Sequence, residues 1–462
     1  MIKKFLLLGL VVAQLTTSCS SDNSAVDEVT SENLNEQIAN LIKQPYSKLT
    51  PAEQKIKLEA EANAMLLEMD KSKTSGAVEA IQNLGNLLDI SSVDIFNGKN
   101  DNQIEDILNV SGVYGIYTWN STKKIWIKTT SNTELKFVFP AKAAATSNNA
   151  TFSSKATSSD IKVKLEDTYG NWVYNPNTDQ YTQSPSINDE FFLPTSADAA
   201  LTIDNAQAAT FAIKAKYSNG KETPDDFSYK MTLNDGYAYV ISSKKGDVNS
   251  VQSTFTYKEK NLVKFTVGST AKIDALIDDN DALVSYRGTA NGLVELMDNF
   301  VIVADIDIAG LGNDEAALEK SLAYPDYPDY ESPKADFKAY YTAKNAYYKK
   351  YSDGNVVNSN KNMKLILVSK KDGTKIADIF YRSEKGYSYI DEIPVWVKNS
   401  YYTNGGYWSF NGNGEAITIQ QYDEVLYLKF NDNTEVEMSA YFSTGFDDLE
   451  KKFEDFLKSF ER

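Results

Sequence analysis

Histidine is missing from all 462 residues, and cysteine occurs once, at Cys19. Without histidine there is no Ser-His-Asp or Cys-His catalysis. Zinc sites built from histidine and cysteine are excluded with it. A single cysteine allows no disulfide within a monomer. Beyond the first nineteen residues no apolar run is long enough to cross a bilayer as a helix. Basic charge is also in deficit: 47 Lys and Arg stand against 64 Asp and Glu, a formal net charge of −17. Such a surface repels nucleic acid and anionic lipid headgroups, so both are discounted as partners. What survives is carboxylate, Ser-Lys or Tyr-Lys chemistry, oxygen-ligand metals, and binding without catalysis.

What the chain has in plenty is aromatic residues, 12% of the total with 29 tyrosines, which sets it apart from a disordered polymer. Tyr, Thr, Val, Ile and Phe together favour strands.

The N-terminus, MIKKFLLLGLVVAQLTTSC, carries a localisation signal. Lys3 and Lys4 form a basic start, residues 5–13 an apolar stretch too short to span, and Cys19 follows small and polar residues. This pattern resembles a bacterial lipoprotein signal, which implies cleavage before Cys19 and acylation of its sulfur. Acyl chains bury methylenes at about 0.8 kcal/mol each, and several together hold a protein on a membrane. Loss of the signal removes Lys3 and Lys4 and takes the formal charge from −17 to −19. The expected divisions are a signal over 1–19, a flexible tether over 20–48, a first unit over 49–310 and a second over 311–462.

Thr50-Pro51-Ala52-Glu53 predicts a helix start, with Thr50 as cap, Pro51 in the first turn and Glu53 completing a capping box. The helix should run to about Met69 with Ile56, Ala60, Ala64 and Leu67 on its buried side. A second helix is predicted over 75–88, burying Val78, Ile81, Leu84 and Leu88. From Val110 the hydrophobic period becomes two. Segments 112–119, 124–128 and 134–139 predict a meander, and further strands follow to about residue 308. Residues 141–159, rich in Ser, Thr, Ala and Asn, predict a loop. Residues 299–308 are apolar on both faces until Asp305 and Asp307 and predict a central strand. A short helix is expected over 313–323, a tyrosine-rich helix beginning at Ser332-Pro333, a second β block over 363–442, and a final amphipathic helix built on Phe446, Leu449, Phe453, Phe456 and Phe460. The fold class is therefore α+β: mainly antiparallel sheet, a half-barrel being one form of it, with helices packed against it. Whether the two β blocks share a sheet is left open by the pattern.

This layout resembles the uncharacterised surface and periplasmic lipoproteins of the Bacteroidetes type. The residues that carry the likeness are Cys19, the helix opening KLTPAEQKIKLEAEA, the stretch GNLLDI, and the strand series GIYTWNSTKKIWIKT with KFVFPA. The resemblance implies an envelope location, on the outer membrane, and brings no activity or catalytic residue with it.

Four constellations bear on chemistry. Ser-x-x-Lys occurs at Ser121–Lys124 and Ser242–Lys245, but both lie at polar turns, where a lysine base stays solvated. Asp278, Asp279 and Asp281 form the densest acidic group and the one candidate for a cofactor, calcium; the EF-hand pattern fails at Ala282, and a solvated turn accounts for the same residues. No pair among the 64 acids stands out as a glycosidase pair. Tyr324, Tyr327 and Tyr330, in the repeat YPDYPDY, and Tyr402, Tyr407 and Trp408, in YTNGGYW, form a candidate aromatic ligand platform. The competing use of such residues is core and cross-strand packing. The expected function is that of a lipid-anchored envelope protein that binds a glycan, a lipid or another envelope protein, or serves as structure. The alternative is a carboxylate enzyme acting on polysaccharide.

Overall fold

A computed structural model describes residues 31–91, 93, 107–108, 110–168, 172–176, 178–183, 187–272 and 288–442. Cys19, the Asp278–Asp281 cluster and the helix expected from Phe446 to Phe460 lie outside them. The chain enters through helices α1 (Ser31–Ile42), α2 (Pro51–Asp70) and α3 (Gly76–Ile90). The strands β1 (Gly115–Asn120), β2 (Ile125–Thr129), β3 (Leu135–Phe139) and β4 (Ala150–Thr168) follow. After them come β5 (Trp172–Asn175), β6 (Gln180–Gln183), β7 (Ile187–Ile203), β8 (Ala206–Lys216), β9 (Asp226–Leu233) and β10 (Tyr237–Lys244). Next are β11 (Asn249–Tyr257), β12 (Lys260–Ser269), β13 (Thr289–Leu296) and β14 (Phe300–Asp307), then helices α4 (Ile308–Ser321) and α5 (Phe337–Asn362). The last elements are β15 (Met363–Ser369), β16 (Thr374–Ile393), β17 (Val395–Lys398), β18 (Gly406–Ser409), β19 (Glu415–Lys429), β20 (Glu435–Glu437) and a short helix α6 (Met438–Tyr441).

Among the described residues, sixteen strands form one open sheet in the order β2-β1-β3-β4-β7-β8-β9-β10-β11-β12-β13-β14-β15-β16-β19-β20. The α+β class is as expected, and no closed barrel forms. β14 pairs with β15 from Phe300↔Ser369 to Ile306↔Met363, so one sheet carries both β blocks across residue 310. Two ribbons, β5–β6 and β17–β18, stand apart from the sheet, each in the connection between the long paired strands β4 and β7 or β16 and β19.

Tight turns make this order cheap to build. Asp204-Asn205, Lys258-Glu259 and Met297-Asp298 each hold two consecutive residues at positive φ, the geometry whose twist matches a two-residue hairpin. Lysine, glutamate and methionine are strained there, and burial of the Met297 side chain in the core offsets part of the cost.

Strand alternation sends apolar residues to both faces of the sheet, where the described residues form three cores. Phe300 and Ala304 face α2 and α3, while Val301 and Val303 face Leu34 and Ile38 of α1 on the other side of the sheet. β14 is thus the central strand its sequence predicts. Ile417 and Ile419 of β19 turn toward α5, whereas Leu426 and Leu428 face the α2–α3 side.

Four expectations need correction. The first strands are not a meander: β1 lies between β2 and β3 and runs parallel to β3. β3 buries Leu135, Phe137 and Phe139 and so takes an interior place, whereas β2 is largely exposed and suits an edge. The loop expected over 141–159 ends at Asn149; Ala150 and Phe152 are fully buried in β4, whose small residues hid a period of two. In α2 the buried stripe is Leu58, Ala62, Met65, Leu66 and Met69, with Gln54; Ile56, Ala60 and Leu67 face water and Ala64 is half-buried. Both stripes have helical spacing, and the one with more apolar volume faces the sheet. Finally, α5 starts at Phe337 because Asp336, not Ser332, caps it by accepting from Ala339 N at 2.8 Å.

Candidate functional site

The tyrosine-rich segment and the tyrosine-rich helix meet. In YPDYPDY, Tyr324 and Tyr327 each precede a proline, which pushes them to extended backbone. At three residues per turn of such a chain, side chains 324, 327 and 330 recur on one side. On α5, Phe337, Tyr340, Tyr341, Lys344 and Tyr348 recur at helical spacing and form one face. The Tyr324 ring lies 5.0 Å from that of Tyr347 and 6.4 Å from that of Tyr348, edge-on to both. Tyr327 lies 5.6 Å from Phe337 and 5.2 Å from Tyr340, also edge-on. These contacts fix the rings while leaving Tyr324 46% and Tyr327 55% exposed. Tyr330 is 63% exposed and has no ring partner among the described residues.

The β17–β18 ribbon closes one end. Trp408 packs 4.9 Å from Phe337 and 5.5 Å from Trp396, and its indole Nε1 donates to Ser332 O at 2.9 Å. Asn404 Nδ2 donates to Glu331 O at 2.6 Å, a second stitch between ribbon and segment. Trp408 is thus a half-buried packing residue, and the exposed Phe410 lies beside it, 5.8 Å from Phe337. Tyr407, next to Trp408 in the strand, points to the opposite face of the ribbon and pairs with Tyr402 at 5.3 Å. The six residues expected to form one platform therefore fall into two groups: Tyr324, Tyr327 and Trp408 gather around α5, and Tyr402 and Tyr407 form a separate exposed pair, with Tyr330 unpartnered by any ring.

Residues that sequence reasoning did not assign to the site complete it. Lys344 Nζ donates to Tyr389 OH at 3.3 Å. Burial acts to lower the Lys344 pKa, but the hydrogen bond to Tyr389 and the phenols of Tyr348 and Tyr324 outweigh it and hold the group above the ordinary lysine range. Tyr341 is pushed up to about 12, by burial first and then by the nearby Asp391 carboxylate, with which it also shares a hydrogen bond. Burial and Asp391 raise Tyr327 in the same way. Tyr387 stacks on Tyr389 at 6.0 Å and is largely exposed. The sequence did hold one signal for this: a lysine at position 344 interrupts an otherwise aromatic helical stripe.

Two acids beside this face, Glu392 and Glu415, are spent on structure. Glu392 accepts from Gly412 N at 2.7 Å and Gly414 N at 2.6 Å, and Glu415 pairs with Lys338 at 2.7 Å. Elsewhere, Asp307 caps α4 and Asp314 pairs with Lys361 at 2.7 Å. Neither Ser-x-x-Lys pattern forms a pair: Ser121 Oγ donates to Thr146 O at 3.0 Å and Lys124 is exposed, while Lys245 pairs with Asp225 at 2.8 Å. Among the described residues no group of three or more Cys, Asp or Glu is placed to hold a metal, and no helix is long and apolar enough to cross a membrane. Comparison with protein-family models, curated proteins and solved structures finds no match to this chain.

Proposed function

We propose that the protein is a lipid-anchored component of the bacterial cell envelope whose tyrosine face on α5 binds glycan. The observation that carries this reading is the combination of fixity and exposure at Tyr324 and Tyr327. Both rings are held by buried or half-buried rings, yet each residue is about half exposed to water. Sugar rings present C–H faces that stack on aromatic faces, and a ring already fixed loses little entropy on binding. Tyrosine hydroxyls and Lys344 supply polar groups beside these rings, while Asn345 ties α5 to β19, its Nδ2 donating to Thr418 O at 2.8 Å and its Oδ1 accepting from Gln420 N at 2.9 Å. Glu392 and Glu415, committed to a turn and an ion pair, favour binding over hydrolysis. The anchor rests on the sequence pattern that ends at Cys19.

The test is a glycan array probed with the full chain in detergent. The wild type is expected to select one class of glycan, and Tyr327→Ala to weaken that binding at least about fivefold, the usual effect of truncating an aromatic anchor. A blank array with folded protein would overturn the glycan reading.

A further inference from the structure

Helix α5 is basic within an acidic protein. It carries five lysines and one aspartate, while the whole chain has a formal charge of −17. Three of those lysines are paired: Lys338 with Glu415 at 2.7 Å, Lys361 with Asp314 at 2.7 Å, and Lys349 with Asp353. Lys344 is different. It is half-buried, and among the described residues no carboxylate lies within ion-pair distance of its Nζ. Its one hydrogen bond goes to the Tyr389 hydroxyl, and the phenols of Tyr324 and Tyr348 stand beside it. Tyr324 and Tyr348 are themselves hydrogen-bonded.

Phenols are neutral at physiological pH, so the ammonium charge is left without a counter-charge. The residue is half-buried, with its Nζ 6.0 Å from the Tyr389 ring centroid, and partial burial lowers the local dielectric and strengthens its pull on an anion. Asp391 hydrogen-bonds to Tyr341 and forms no ion pair with Lys344. The outcome is a cation with phenol neighbours in place of a carboxylate, hydrogen-bonded to Tyr389 and close to Tyr324 and Tyr348. An ammonium with phenol hydroxyls beside it offers donors that match the oxygens of a carboxylate or sulfate.

We propose that this site takes an acidic glycan, with sugar rings on Tyr324 and Tyr327 and a uronate carboxylate or sulfate ester seated on Lys344. The proposal rests on the reading of the tyrosine face as glycan-binding, and it adds the charge of the ligand. It also explains how an acidic protein holds an anionic polymer. Long-range repulsion is screened beyond about 8–10 Å at physiological salt, whereas the Lys344 contact is short-range and partly shielded from water.

The experiment is an array of neutral, uronate-bearing and sulfated glycans, probed with the full chain in detergent as wild type, Lys344→Met, Lys344→Arg, Lys350→Met and Tyr327→Ala. The wild type is expected to bind acidic members best. Lys344→Met should lose at least about tenfold on those members, the worth of one charge-assisted hydrogen bond. Lys344→Arg should restore part of that loss, and Lys350→Met should change little. Tyr327→Ala should weaken all members alike. Whether uronates or sulfates bind more tightly identifies the anion. Lys344→Met removes one hydrogen bond, and an unchanged melting curve will show that the fold is intact. Preference for neutral glycans, or wild-type binding of acidic ones by Lys344→Met, would overturn this proposal and leave the glycan reading standing. A blank array would overturn both.

Discussion

Leu66 and Leu67 are neighbours in α2 and stand on opposite sides of it: Leu66 is 2% exposed against the sheet core, and Leu67 is 66% exposed to water. Leu66→Ala therefore leaves a cavity between α2 and the sheet and should cost about 2–5 kcal/mol. Leu67→Ala touches no core and should change stability by no more than about 0.5 kcal/mol. Urea denaturation of the two variants measures this directly. Equal losses would mean that the helix is rotated about its axis from the orientation described here.

The pH dependence of stability should show a plateau. Glu53, through the backbone N–H and side chain of Thr50, Asp314, through Lys361 and Asn362, and Asp372, through Lys57, are all held below the usual carboxylate range. A depressed folded pKa stabilises above the unfolded value near 4, and that contribution is lost as pH falls through the folded value. Tyr341, at about 12, and Tyr229, Tyr237 and Tyr441, higher still, are raised first by burial. A raised folded pKa stabilises below the unfolded value near 10 and is lost as pH rises through the folded value. With no histidine in the chain, Cys19, which lies outside the described residues, is the one side chain whose ordinary pKa falls between these limits. Melting temperature is thus expected to be level from about pH 5 to about pH 9 and to fall on both sides. A step near pH 6 to 7 would contradict it.

The anchor is tested by Cys19→Ala. Removing the thiol removes the acylation site, so the variant should move from the detergent phase to the aqueous phase on phase separation. Unchanged partition would overturn the proposed lipid on Cys19.

Local chemistry made several elements legible. Thr50 and Glu53 cap each other as their spacing dictates, with Thr50 N donating to Glu53 Oε2 at 2.8 Å. The positive φ of Asn219 and Gly220 follows from the two residue types that tolerate it most readily. β14, apolar on both faces in sequence, is sandwiched between two cores. In each case the deciding interaction lies within a few residues along the chain, or depends only on the strand period.

The phase of α2, the interior place of β1, and the division of the candidate platform were decided elsewhere. Two apolar stripes of α2 satisfy the same helical period, and only the sheet beneath selects one of them. β1 pairs with β3 in parallel because β3 has more apolar surface to bury than β2, a comparison between strands that no single strand contains. Lys344 becomes a lone cation because the topology brings Tyr324 from the preceding segment and Tyr389 from β16 around it, while the acids nearby find other partners. The sequence alone determined the fold class, most strand positions and the absence of histidine chemistry, since these depend on composition and local periodicity. The tertiary structure alone decided which rings are pinned, which are exposed and which charge is left uncompensated, because those properties depend on distances between residues far apart in the chain.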